Sequence, residues 1–158
     1  MFVKNQIMDI SILIVVIILG FIGGRILFLI YNQNRIEKLF HQKAQEFGMV
    51  PNIKDFTPAL LLGLDLKLKK LIIIKRINRK SHLISLSEIA KCELITEDRK
   101  CLPGKKNRIS LVLSYKKSEK PPIEINFYNL DDDPDREVEM QFQLSKKWQE
   151  LITKPLVP

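Results

Sequence analysis

Histidine, cysteine and glycine are scarce in this 158-residue chain, which holds two, two and six of them. His41 and His82 are far apart in sequence and stand in no metal-ligand spacing. No G-x-S-x-G motif, H-E-x-x-H motif or phosphate-binding glycine loop occurs. The sequence therefore indicates no catalytic residue, no metal site and no cofactor, and we expect a protein that is not an enzyme.

The two cysteines also exclude a disulfide framework, since small secreted domains usually carry more of them. Cys92 and Cys101 form no C-x-x-C pair. They are either free thiols in a reducing compartment or a single bridge across a hairpin.

The net charge of +8 is unevenly distributed along the chain. Residues 52–117 hold sixteen basic and six acidic side chains, whereas residues 118–158 hold five basic and nine acidic ones. This dipolar pattern argues against a nucleic-acid partner. It suits a domain with one face towards anionic lipid headgroups.

A long apolar run opens the chain. Residues 10–31 carry a single charge, Arg25, and span about 33 Å as a helix, which matches a hydrocarbon core of about 30 Å. Arg25 lies six residues from the interfacial Tyr31, so that its side chain can reach the headgroups. The run is too long for a cleaved signal peptide and no A-x-A-like site follows it, which predicts an uncleaved signal anchor after a short tail, residues 1–9.

Gly20 and Gly24 have the G-x-x-x-G spacing that lets two membrane helices approach closely. The same spacing also arises by chance in membrane helices. A homodimer with contacts at these two glycines is one interpretation.

Basic residues near the ends of the apolar run predict its orientation. Lys4 precedes the run and its charge is offset by that of Asp9. Three basic residues follow the run, namely Arg35, Lys38 and Lys43. We expect a single pass through the plasma (inner) membrane with a cytoplasmic C-terminal domain. The candidate lipid-headgroup contacts here are Arg25, Arg35, Lys38 and Lys43, although a solvated helix face explains the last three equally well.

Residues 32–50 predict a juxtamembrane amphipathic helix, with apolar residues at spacings of three and four. Gly48 is expected to cap it, and Pro51 prevents its continuation. Residues 51–158 then form the soluble domain.

Within that domain, short apolar runs alternate with polar turns and predict an antiparallel meander. Six strands are expected, at residues 59–66, 71–77, 82–89, 91–97, 108–115 and 122–129. Residues 102–107 and 118–122 are expected to be loops. A final amphipathic helix is expected around Trp148, capped by Asp133 with Pro134 at its first position. The predicted class is α+β, mostly β.

Two stretches, LIIIKRINRKSHLISLSEIAKCELITED (71–98) and FYNLDDDPDREVEMQFQLSKKWQELI (127–152), order these elements as strands followed by one helix. In this order the chain resembles a pleckstrin-homology-like (PH-like) domain, in particular small bacterial PH-like modules behind a membrane helix. The resemblance implies an antiparallel sheet of six or seven strands closed by a C-terminal helix. It also implies a binding module for lipids or proteins, with basic residues around the first hairpin.

Lys67, Lys69 and Lys70 match that basic location loosely. They are candidate lipid-headgroup contacts, or simply a solvated hairpin tip. The expected function is a membrane-tethered, non-catalytic interaction module that binds a protein partner or an anionic membrane surface. The alternative is a structural subunit of a larger envelope or transport complex, held by its transmembrane helix.

Overall fold

The computed structural model describes residues 2–99, 102–117 and 119–156. Its order of elements is helix α1 (Phe2–Glu46), strands β1 (Ile53–Phe56), β2 (Leu60–Asp65), β3 (Lys70–Lys75), β4 (Ser81–Ser85), β5 (Ile89–Arg99), β6 (Leu102–Tyr115) and β7 (Ile123–Asn129), and helix α2 (Val138–Thr153). The described part of the chain is thus α+β, with seven antiparallel strands in two sheets between an N-terminal and a C-terminal helix.

The chain divides into two compact units, Met1–Lys43 and Ala44–Pro158. The first unit consists of helix α1 without its last turn. The second contains both sheets and α2.

Helix α1 includes a segment, Ile17–Glu46, that is long and apolar enough in length and composition to cross a membrane, with a mean hydropathy of 1.2. Signal sequences and the core helices of soluble proteins satisfy the same criterion. The apolar 18-residue stretch on which this assignment rests has no buried residue, however, whereas the core helix of a soluble protein would be mostly buried.

The end of α1 confirms the prediction made for Gly48. This glycine has a φ of 63°, and its N–H donates to the Gln45 carbonyl at 2.9 Å. The Met49 N–H donates to the Ala44 carbonyl, also at 2.9 Å. These two bonds define a Schellman motif, in which a residue with positive φ ends the helix and satisfies its last carbonyls. Ala44 and Met49, the two residues joined by the second bond, are both buried.

The first sheet has the order β1-β2-β3-β4, each strand antiparallel to the next. β2 and β3 are its central strands and are almost wholly buried. The sequence did not predict β1, because IKDF is short, has two adjacent polar residues that break the alternation of a strand, and lies at the edge. The predicted second strand also ended too late, since β3 stops at Lys75 and Ile77 lies in the following turn, 93% exposed.

The second sheet has the order β5-β6-β7. The strand predicted at residues 82–89 is wrong, because a 3-10 turn at Leu86–Glu88 divides it between β4 of one sheet and β5 of the other. The loop predicted at residues 102–107 is also wrong, since β6 begins at Leu102 and pairs with β5 back to Arg99. Register shifts near Asp98 accommodate the proline and glycine of this stretch.

The core lies where the two sheets and α2 meet. Ile109, Leu111 and Leu113 of β6 are fully buried, at alternate positions that share one side of the strand. Trp148 and Ile152 of α2 are also fully buried, and the Trp148 Nε1–H donates to the Asp55 carboxylate at 3.0 Å. Helix α2 therefore closes the sheets, as the amphipathic pattern predicted.

The start of α2 corrects one prediction. Asp133 does not cap the helix; its carboxylate accepts the Asn129 N–H at 2.8 Å and closes the loop after β7. A 3-10 turn, Asp135–Glu137, comes first, and neither it nor α2 has a side-chain capping bond.

Candidate functional site

Lys67, Lys69 and Lys70 lie at the turn between β2 and β3, which is the second hairpin of the domain. The sequence placed them at the first hairpin because β1 was not recognised. Lys67 and Lys69 are in the turn itself and not in extended chain, and Lys69 has a φ of 50°. The alternation of sides that an extended strand would impose therefore does not apply to Lys67 and Lys69.

A buried carboxylate shapes this turn. Asp65 is 4% exposed, and its Oδ1 accepts the N–H groups of Lys67 at 3.0 Å and Leu68 at 2.9 Å. Its Oδ2 accepts the Val50 N–H at 3.1 Å. The pKa of Asp65 lies below its ordinary value of 3.8, mainly because of the hydrogen bond from Leu68. Burial of the carboxylate raises the pKa, whereas the bonds from Val50 and Lys67 lower it further. The turn is thus built around an ionised side chain.

A second group of lysines, in the connection from β6 to β7, lies next to this turn. The Leu86 N–H donates to the Lys69 carbonyl at 2.8 Å, and the Lys116 N–H donates to the Glu88 carbonyl at 2.8 Å. Residues 86 and 88 are two positions apart, so the backbones of the two turns come within roughly 15 Å. We call this surface the basic end, defined by Lys67, Lys69, Lys70, Lys116, Lys117 and Lys120.

Sequence reasoning missed half of the basic end. Lys120 was assigned only to the predicted loop at residues 118–122, and Lys116 and Lys117 entered only the count of basic residues, nearly fifty positions after Lys70. No local pattern connects them to the first turn. The 3-10 turn at Leu86–Glu88, which bonds to both, brings them together.

The basic end includes an open cavity of about 350 Å³, lined by Ser87, Glu88, Tyr115, Lys116, Lys117 and Lys120. The Lys120 ammonium contacts the Glu88 carboxylate at 2.7 Å and lies 4.9 Å from the centre of the Tyr115 ring. The hydrogen bond and charge of Lys120 lower the pKa of Glu88, and Glu88 in turn raises the pKa of Lys120. Six lysines against Asp65, Glu88 and Glu119 leave a net charge of +3.

The turn between β3 and β4 has a different balance. Lys75, Arg76, Arg79 and Lys80 are there, but a cavity of about 400 Å³ beside it is also lined by Asp132 and Asp133. Arg76 donates to the Thr57 carbonyl at 3.1 Å, which commits it to the fold. Four basic side chains against two carboxylates leave a net charge of +2 here, compared with +3 at the basic end.

The remaining candidate residues lie on α1, in the first unit. At 100° per residue, Arg25, Arg35, Lys38 and Lys43 fall within an arc of about 140° on one side of the helix. Gly20 and Gly24 fall within the same arc, and apart from the helix's own nearby backbone a Cβ added at either would meet no described atom within 4 Å. These candidates belong to the first unit, whereas the lysines of the basic end belong to the second.

Other reactive groups do not form a site in the described part of the chain. Cys92 is a buried free thiol whose pKa rises to about 11, mainly through desolvation and also through Glu93. Cys101 lies outside the described residues. Among the described residues, no group of three His, Cys, Asp or Glu side chains is placed to hold a metal ion.

Comparisons with known proteins add no further assignment. No protein-family model matches the sequence, and neither a curated protein nor a solved structure shows a significant match to the chain.

Proposed function

We propose that this chain is a single-pass membrane protein whose second unit is a non-catalytic, PH-like interaction module on the cytoplasmic side. Its basic end binds the anionic surface of the membrane in which α1 is anchored. The observation that carries this proposal is the convergence of six lysines from two distant turns on one end of the domain.

The PH-like assignment is supported by the order and grouping of the elements. A four-stranded sheet, a three-stranded sheet and one C-terminal helix that closes them follow each other along the chain. With β1 included, the strands number seven, which is the typical number for a PH domain. Such domains act mainly by binding lipids or proteins, and binding needs no catalytic group.

The membrane assignment is supported by the apolar, unburied stretch of α1 and by the charges on either side of it. The apolar run is followed by three basic residues, Arg35, Lys38 and Lys43. It is preceded by Lys4 alone, whose charge Asp9 offsets. Positive residues are retained on the cytoplasmic side of a membrane helix. The second unit, which follows these residues, then faces the cytoplasm and its anionic lipids.

A weak contact is sufficient for such a module. Each lysine close to an anionic leaflet contributes about 1 kcal/mol, and the field decays within a Debye length of about 8 Å. Glu88, paired with Lys120, offsets part of this attraction. Tethering by α1 converts the contact into an intramolecular one, which raises the local concentration of the domain at the bilayer.

Lysine footprinting of the full chain tests the proposal. The protein is reconstituted into nanodiscs of either anionic or zwitterionic lipid, treated with an acetylating reagent and analysed by mass spectrometry. We expect Lys67, Lys69, Lys116 and Lys117 to be protected in anionic discs only, and high salt to remove the protection. Lys75 and Lys80 are matched internal controls, because they flank the turn between β3 and β4, at the opposite end of the same sheet from the turn between β2 and β3.

Equal acetylation of these lysines in both kinds of disc would overturn the membrane-surface proposal. Protection in both kinds of disc that appears only after an acidic cytoplasmic protein is added would instead assign the basic end to a protein partner. Uniform protection of all lysines, controls included, would also contradict a specific contact.

A further inference from the structure

Two leucines at the tip of the basic end are held outside the core. Leu66 is 46% exposed and Leu68 is 48% exposed, and each is followed by a lysine in the sequence Leu66-Lys67-Leu68-Lys69. Single exposed apolar side chains are common on protein surfaces. Two of them on one four-residue turn, alternating with cations, form a pattern that calls for a specific environment.

The backbone of this turn is hydrogen-bonded to residues outside the turn at both of its ends. Besides the bonds to Asp65, the Leu66 N–H donates to the Asn52 amide oxygen at 3.3 Å. The Lys69 carbonyl accepts the Leu86 N–H, which ties the end of the turn to the 3-10 segment. Because these bonds hold the turn in place, the leucines remain exposed without any rearrangement of the core.

Apolar tips between lysines match the chemistry of one environment, the boundary between headgroups and acyl chains of an anionic bilayer. Leucine side chains gain by leaving water there, while lysines on either side reach the phosphates. A protein interface of ordinary size needs far more buried area than two leucines supply. A domain already tethered to the bilayer does not, since tethering supplies most of the encounter.

We propose that the turn Leu66–Lys69 inserts Leu66 and Leu68 into the interfacial layer of the anionic membrane, with Lys67, Lys69 and Lys70 at its phosphates. This inference rests on the proposed function and adds the depth and the residues of the contact. The basic end is then a membrane-inserting surface and not only an electrostatic one.

Tryptophan scanning of the full chain tests the insertion. Leu68→Trp is reconstituted into anionic vesicles whose acyl chains carry bromine, which quenches tryptophan only within the bilayer. The native Trp148 is fully buried and bonded to Asp55, so that it contributes a constant background. Ile77→Trp is the matched control, because Ile77 is a 93% exposed apolar residue in the turn between β3 and β4.

We expect the added fluorescence of Leu68→Trp to shift to the blue and to be quenched in anionic vesicles, and that of Ile77→Trp to be unchanged. In zwitterionic vesicles neither should be quenched. Leu66→Trp repeats the measurement at the second leucine if Leu68→Trp does not fold.

Two other results separate the inference from the proposed function. An unquenched Trp at both leucine positions, together with lysine protection in anionic discs, would overturn insertion and leave a purely electrostatic contact. An unquenched Trp without lysine protection would overturn both. Equal quenching of Ile77→Trp would show that the domain lies on the membrane without a preferred end, which also contradicts the inference.

Discussion

At the scale of single residues, Asp65 illustrates how an ionised side chain can be a structural element. Its carboxylate accepts three backbone N–H groups, from Val50, Lys67 and Leu68, while it is almost completely buried. Hydrogen bonds to a charged acceptor contribute about 1.5–3 kcal/mol each, and removing the acceptor leaves the donors without a partner. Asp65 therefore links the residues that follow α1 to the turn that carries the basic end.

We predict that Asp65→Ala lowers the free energy of unfolding by about 2–3 kcal/mol. The measurement is urea unfolding of the full chain in detergent, followed by the emission of Trp148, the only tryptophan. Asp131→Ala removes an exposed acid and should change stability by less than about 0.5 kcal/mol. Similar losses in the two variants would contradict the role of Asp65.

The pH dependence of stability follows from the same group. Because the pKa of Asp65 is lower in the folded chain than its ordinary 3.8, its contribution is complete above that value. It is lost as the pH falls through the lower, folded pKa. We expect the wild-type protein to lose stability below about pH 4, and Asp65→Ala to lack this part of the loss.

At the scale of elements, the end of α1 depends on one backbone conformation. Gly48 adopts a φ of 63°, which glycine takes readily and which costs other residues roughly 1–2 kcal/mol. We predict that Gly48→Val destabilises the second unit by about that amount. Gly48→Asn should cost less, since asparagine tolerates the left-handed region. Urea unfolding, again followed by the emission of Trp148, measures both variants. Equal losses of unfolding free energy in the two would show that the positive φ is not the cause.

The glycines of α1 carry a separate prediction. Gly20 and Gly24 lie on one side of the helix, and apart from the helix's own nearby backbone no described atom lies within 4 Å of a Cβ added at either. If two copies pair there, Gly24→Ile abolishes the dimer by separating the helix backbones. Gly23→Ile, about 100° around the helix from Gly24, is the control. Crosslinking in mild detergent measures both; unchanged dimers in Gly24→Ile would exclude this interface.

At the scale of the whole molecule, the arrangement of charges around α1 predicts its topology. A C-terminal reporter that is active only in the cytoplasm should be active on this chain, and one that is active only outside should be silent. Replacement of Arg35, Lys38 and Lys43 by glutamine should produce a mixed population. An exterior C-terminus in the unaltered chain would overturn the orientation, and complete extraction by alkaline carbonate would overturn the anchor.

Regular patterns along the chain predicted much of the fold. A short apolar run predicted residues 108–115 of β6, amphipathic spacing predicted α2, and glycine chemistry predicted the end of α1 at Gly48. The errors arose where a long-range partner outweighs a local signal. Proline and glycine at 103–104 predicted a loop, yet pairing with β5 extends β6 to Leu102. Asp133 was expected to cap α2, yet the Asn129 N–H is its partner.

By itself, the sequence determined the apolar N-terminal segment, the α+β class and the absence of known catalytic motifs, because composition and short periodic patterns are properties of the chain alone. Only the tertiary structure decided where the basic end lies. Hydrogen bonds of Leu86 with Lys69 and of Glu88 with Lys116 bring the two groups of lysines together. The Leu66 N–H bonds to Asn52 and the Leu68 N–H to the buried Asp65 carboxylate, and these bonds hold the turn with its two leucines exposed. Contacts between residues that are distant in sequence leave no local pattern, because each of the two segments has by itself the sequence of an ordinary turn.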